Sequence, residues 1–119
     1  PEAGWSIVGT WINEDYNDPP EVRANEGKAW KIIIGEDGNE TIYDYDGATP
    51  MTGTFTLERQ WTESGILWIE GIAVLDGTTY YGLSKLTLAG DTMEGVASTT
   101  DFPTELNTTD GSYQIHYRQ

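Results

Sequence analysis

The stretch Gly9-Thr10-Trp11 is the most informative part of this sequence, because it opens the first of a long series of short strand-like runs. A glycine two residues before a tryptophan at the start of a first strand is typical of a small closed β-barrel. The glycine lets another chain segment pass close by, and the tryptophan supplies a large flat apolar surface that caps the core. We therefore expect Trp11 at the floor of a barrel.

Composition limits the classes of protein that the chain can belong to. Its 119 residues are enough for one domain with one hydrophobic core, so we expect a single domain over residues 1–119. Cysteine is absent, which excludes disulfides, thiolate catalysis and cysteine-ligated metals. No apolar run approaches the roughly 20 residues of a membrane-spanning helix.

The charge balance is strongly acidic, with 6 Lys and Arg against 20 Asp and Glu and a formal net charge of −14. This charge repels nucleic acid and anionic membranes, so neither is an expected partner. It favours a cationic partner, or it serves only to keep the protein soluble in its habitat. The chain opens on Pro1 rather than methionine, and we expect a processed, extracellular or periplasmic protein.

Eight strand-like runs follow a short turn over residues 1–8, and no helix is expected at the C-terminal end. Glycine, threonine and β-branched residues dominate these runs. The predicted strands cover 9–15, 29–35, 40–46, 51–61, 65–75, 78–89, 92–99 and 112–118.

The connections predict how these strands are arranged. Most are short turns whose residues tolerate positive φ, such as Asp37-Gly38-Asn39 and Asp76-Gly77, so successive strands are antiparallel neighbours. A meander of eight strands closes most simply into an up-and-down barrel, which leaves no free edge. The two long connections, 16–28 and 100–111, would then both lie at the mouth, opposite Trp11.

The stretch Ile7-Val8-Gly9-Thr10-Trp11, together with Arg118 near the end of the last strand, resembles the calycin superfamily and most closely its small bacterial lipocalin-like domains. The resemblance implies a barrel that carries a small molecule, with a basic residue lying across the floor tryptophan. Arg118 would therefore form a cation–π contact with Trp11. The alternation of Tyr113, Ile115 and Tyr117 favours the opposite orientation, in which these three face the core.

A second, weaker resemblance is to the avidins, whose opening is similar to Gly9-Thr10-Trp11-Ile12-Asn13. It implies a ligand contact for Asn13. The long 16–28 connection and the missing later tryptophan and aspartate pattern argue against biotin as that ligand.

The expected binding site is the barrel interior, because eight strands enclose just enough room for one small ligand. Both faces of the strand 65–75 are largely apolar, so the alternation of apolar and polar residues leaves open whether Trp68 and Glu70 face inward. Of the two orientations, we favour the one in which Glu70 faces solvent. An inward Glu70 beside Trp68 would suit an amine. The candidate ligand-binding residues are Asn13, Trp30, Tyr43, Tyr45, Phe55, Trp68, Glu70 and Tyr80.

Three functions remain open at this point. We favour a non-enzymatic carrier of a small hydrophobic or amphiphilic molecule, with or without a positive group. The alternative is a protein-interaction module, inhibitor- or adhesin-like, that uses the mouth loops 16–28 and 100–111. An enzyme is the third, but no catalytic, cofactor or metal motif appears, and the one histidine, His116, is expected to be solvent-facing or structural.

Overall fold

Eight antiparallel β-strands form the secondary structure in a computed structural model that describes residues 6–13, 29–43, 50–87 and 91–119, and these residues contain no helix. The strands are β1 (Gly9–Ile12), β2 (Lys31–Ile34), β3 (Asn39–Tyr43), β4 (Met51–Glu63), β5 (Ile66–Leu75), β6 (Thr78–Leu86), β7 (Thr92–Ser98) and β8 (Gln114–Arg118). Each overlaps one predicted strand. The largest differences at the start of a strand are in β2 and β8, which begin two residues later than predicted.

The strands close into a barrel in the order of the sequence. Each strand is antiparallel to the next, and β1 also pairs with β8, with Trp11 opposite Arg118 and Ile12 opposite Tyr117. The amide of Gln119 extends this seam by donating to the carbonyl of Thr10 at 2.9 Å. The predicted eight-stranded up-and-down barrel is confirmed.

Tight turns connect several of the strands. The β4–β5 turn has φ of 53° at Ser64 and 77° at Gly65, and the β5–β6 turn has 49° at Asp76 and 84° at Gly77. Two successive positive φ angles give the hairpin twist that matches the right-handed twist of paired strands. The turns predicted at Asp46-Gly47 and at Gly90-Asp91 lie wholly or partly outside the described residues, as does most of the predicted N-terminal turn.

One end of the barrel is filled by a hydrophobic cluster around Trp11. The Trp11 ring is fully buried, and its Nε1–H donates to the carbonyl of Ile7 at 2.8 Å, so its polar atom is satisfied inside the core. The cluster consists of Ile7, Trp11, Ile34, Leu67, Ile69, Leu86 and Met93. This cluster is the floor core, and Trp11 lies in it as predicted.

The inward face of β8 differs from the alternation expected from the sequence. His116 is 2% exposed while Tyr117 is 42% exposed, so Gln114, His116 and Arg118 share the inner face. The pairing of Trp11 with Arg118 fixes this orientation, because directly paired residues project to the same side of a sheet. The alternative in which Tyr113, Ile115 and Tyr117 face the core is therefore wrong.

The segment between β7 and β8 contacts both the barrel interior and the outer face of β6. Thr99, Asp110 and Ser112 border the barrel interior, as expected for a mouth loop. Phe102, however, lies edge-on to Tyr81 on the outer face of β6, with the ring centroids 5.2 Å apart. Leu83 projects from the same outer face and is only 4% exposed. The mouth position of 100–111 stays a prediction. The other predicted mouth loop, 16–28, lies outside the described residues.

Candidate ligand cavity

A cavity of about 720 Å³ occupies the barrel interior next to the floor core. This volume falls within the range of small-molecule pockets in proteins. Most of its wall is apolar, and strands β2 to β5 contribute Ile32, Ile34, Ile42, Met51, Phe55 and Leu75. The walls therefore suit a ligand whose surface is mainly hydrocarbon.

The cavity exists because small residues occupy inward positions on the opposite wall. Gly71, Ala73, Gly82, Ser84 and Gly95 line it from β5, β6 and β7. At Gly71 the missing side chain accommodates the ring of Phe55, since a Cβ added there would lie 2.4 Å from the ring carbons. A Cβ added at Gly82 would come no closer than 3.7 Å to another atom, so the space there is open, whereas one added at Gly95 would lie 2.9 Å from Oγ of Ser84.

Glu40 is the buried acidic residue of this cavity. It lies on β3 between Ile34 of β2 and Gly53 of β4, and Ile34 belongs to the floor core. The residue is only 6% exposed, and its Oε1 has no hydrogen-bond partner among the described residues. Burial raises the pKa of the Glu40 carboxyl to about 7. A buried acceptor without a donor is costly, so a donor brought to this oxygen would be stabilising.

His116 also lines the cavity, but its ring is held by the protein backbone. Its Nε2 lies 2.8 Å from the carbonyl oxygen of Ala29, and because a carbonyl only accepts, Nε2 carries the proton. Burial lowers the pKa of His116, so the ring is neutral at pH 7. We expected His116 to be either solvent-facing or structural. Its buried, hydrogen-bonded ring is structural.

Ala29 is the centre of a polar cluster that joins β1, β8 and the start of β2. Its carbonyl accepts a second hydrogen bond from Nδ2 of Asn13 at 3.1 Å, and its amide donates to Oε1 of Gln114 at 3.1 Å. Asn13 is therefore engaged with the backbone and is not one of the residues that line the cavity. Its predicted ligand contact stays a prediction.

The other candidate residues divide between the two faces of the barrel. Phe55 and Tyr80 line the cavity as expected. Tyr43 does not: it alternates with the inward Glu40 and Ile42, and its ring lies on the outer face, 5.4 Å from the Lys31 ammonium. The expected inward orientation of Tyr43 is therefore corrected.

Trp68 and Glu70 also project outward, because the inward positions of β5 are taken by the buried Leu67 and Ile69. The Trp68 ring stacks on Trp61 of β4, with centroids 6.1 Å apart and an interplanar angle of 10°. Glu70 lies 3.8 Å from the guanidinium of Arg59. An amine site formed by Trp68 and Glu70 inside the barrel is thus excluded.

Two aromatic candidates remain. The Trp30 ring packs against Tyr43, with centroids 5.4 Å apart, and does not line the cavity. Tyr45 lies outside the described residues. Sequence reasoning missed Glu40, although its alternation with Ile42 is visible in the run 40–46 and could have identified it.

The described residues form no group of three or more histidine, aspartate or glutamate side chains that could hold a metal ion. In the turn before β3, Asp37 instead accepts hydrogen bonds from the backbone and side-chain nitrogens of Asn39, at 3.0 and 2.9 Å, which lower the pKa of its carboxyl. Over the same residues, no helix has the length and hydropathy required to cross a membrane.

No protein-family model, curated protein or solved structure matches this chain.

Proposed function

We propose that this protein binds and carries a small, largely apolar molecule inside its barrel. The observation that supports this proposal most strongly is the 720 Å³ cavity, which is walled by isoleucine, methionine and phenylalanine side chains and bounded at one end by the floor core. Maintaining so large a space in a small domain sacrifices packing contacts. A ligand that fills it would restore those contacts.

We further propose that the chain is a lipocalin-like member of the calycin superfamily. The support comes from Gly9-Thr10-Trp11 at the floor and from Arg118, whose guanidinium carbon lies 4.3 Å from the centroid of the Trp11 ring. The polar residues of the cavity support a binding role rather than catalysis. No hydrogen bond joins Glu40 to His116, and the Nε2 proton of His116 is committed to a backbone carbonyl.

The protein supplies its own reporters for a binding test. It contains two methionines, Met51 and Met93, and both line the cavity. Protein labelled with ¹³C at the methionine methyl groups is titrated with octan-1-ol, which presents a hydrocarbon chain and one neutral polar group. We expect both methyl resonances to shift in a saturable way, and a Met51→Leu variant assigns them.

Two neighbouring substitutions on β5 separate interior from exterior binding. Ala73 lines the cavity, whereas Val74 is exposed on the outer face. Ala73→Phe adds a ring inside the cavity and should abolish the saturable shifts, while Val74→Phe should leave them unchanged. If octan-1-ol produces no saturable shift in the wild-type protein, or if both variants respond alike, the carrier proposal fails and the interaction-module alternative gains.

A further inference from the structure

The Glu40 carboxyl stands apart from the rest of the cavity wall. Its neighbours across the strand pairs are Ile34 and Gly53, neither of which has a polar side chain. The group is 94% buried, and its Oε1 has no donor among the described residues. An oxygen in this situation, inside a cavity large enough for a ligand, requires a hydrogen-bond donor from elsewhere.

The described residues that line the cavity include no lysine or arginine that could serve as that donor. Arg118, at the floor, is engaged with the Trp11 ring and with the carbonyls of Val8 and Ser6. The imidazole of His116 donates to Ala29 and is neutral at pH 7. The charge that would complement an ionised Glu40 is thus missing from the described wall.

We propose that the ligand itself supplies this charge, and that the cavity selects a small apolar amine whose ammonium group donates to Glu40. This inference rests on the proposed carrier function and adds the chemical class of the ligand. The hydrocarbon part of the amine would lie against Ile32, Ile42 and Met51. An ammonium group both satisfies the buried oxygen and offsets the cost of ionising it.

The overall charge of the protein works in the same direction. A net charge of −14 raises the concentration of cations near its surface and disfavours anionic ligands. This long-range effect acts on any cation, so the experiment must separate it from a direct contact with Glu40. Glu70 offers a control for this long-range effect, because it is a glutamate on the outer face. Replacing Glu70 by glutamine changes the net charge by the same amount as replacing Glu40.

The test uses three ligands that share one hydrocarbon chain: octylamine, octan-1-ol and octanoate. Their affinities are measured at about pH 8, where Glu40 is ionised, from the methyl resonances of Met51 and Met93 and by calorimetry. For the wild-type protein we expect octylamine to bind at least about tenfold more tightly than octan-1-ol, and octanoate to bind most weakly, since a hydrogen bond between two charged groups exceeds one with a neutral partner.

Glu40→Gln should remove the preference for octylamine and leave the affinity for octan-1-ol nearly unchanged. Glu70→Gln, the matched control, should retain the wild-type order of the three ligands. The inference is overturned if octan-1-ol and octylamine bind equally to the wild-type protein, or if Glu40→Gln and Glu70→Gln reduce octylamine binding to the same extent. Failure of all three ligands to bind would instead overturn the carrier function.

Discussion

The guanidinium of Arg118 lies over the ring of Trp11, with its central carbon 4.3 Å from the ring centroid, and the two residues are direct partners across the β1–β8 seam. The Nη1–H of Arg118 also donates to the carbonyl of Val8 at 2.9 Å, and Nη2–H donates to that of Ser6. One side chain therefore connects the last strand, the floor tryptophan and the segment that leads into β1.

Removing this side chain should destabilise the barrel. We expect Arg118→Ala to lower the free energy of unfolding by about 2–3 kcal/mol, because it removes a cation–π contact and leaves two carbonyls without their charged donor. Urea unfolding followed by tryptophan fluorescence measures this difference.

Arg59 is the matched control. Its guanidinium carbon lies 4.2 Å from the centroid of the Trp61 ring on the outer face, and its side chain is 64% exposed. Because solvent screens that contact, Arg59→Ala should cost less than about 1 kcal/mol. Equal losses in the two variants would contradict the role assigned to Arg118.

Gly9 is required both for its backbone angle and for the room it leaves. Its φ is 144°, and a Cβ added there would lie 2.7 Å from Nη1 of Arg118. We therefore expect Gly9→Ala to cost about 1–3 kcal/mol in thermal or urea unfolding. Gly111→Ala, at a position where nothing lies within 4 Å of the added carbon, should change stability by no more than about 0.5 kcal/mol.

Glu40 should make stability fall as pH rises. The pKa of its carboxyl is about 7 in the folded protein against 4.5 as the ordinary value, so the folded state holds the proton more tightly. Between about pH 4.5 and pH 7 the protein therefore loses stability, by on the order of 3 kcal/mol in total from this group.

Glu40→Gln isolates this effect. The stability of the variant relative to the wild-type protein should increase from about pH 5 to pH 8, as measured by urea unfolding at each pH. A flat difference for Glu40→Gln would mean that the carboxyl is not desolvated in the folded protein.

His116 should have the opposite effect. Burial lowers the pKa of its imidazole below 6.5, so the unfolded chain binds the proton first and stability falls as pH drops below about 6.5. His116→Gln keeps an N–H that can reach the Ala29 carbonyl but does not titrate. Its unfolding free energy should therefore lack this decline at acidic pH, and an identical decline in both proteins would refute the assignment.

The barrel could be predicted from sequence because its signals are local. Hairpins such as Asp76-Gly77 identify antiparallel neighbours, and each strand has a run of β-formers between them. The floor could be predicted as well, since Gly9-Thr10-Trp11 combines the close approach and the large ring that such an end requires. These signals need no knowledge of distant contacts.

The cavity residues were harder to predict because they depend on which face of each strand turns inward. On β3 the sequence pattern favours an inward Tyr43 over an inward Glu40, because hydrophobicity usually determines which face of a strand is buried. Here the pairing of Glu40 with Ile34 and of Tyr43 with Lys31 sets the opposite orientation. On β5 both faces are apolar, so only the neighbouring strands determine that Leu67 and Ile69 are buried and Trp68 is not.

The polar cluster at Ala29 bears on how the barrel would come apart. The β1–β8 pairing has only two residue pairs, fewer than any other junction in the described strands. The side chains of Asn13, which directly follows β1, and of His116 in β8 are both hydrogen-bonded to the carbonyl of Ala29. Separating β1 from β8 therefore requires breaking the hydrogen bonds of Asn13 and His116 to the Ala29 carbonyl. These side-chain bonds compensate for the small number of backbone pairs between the two strands.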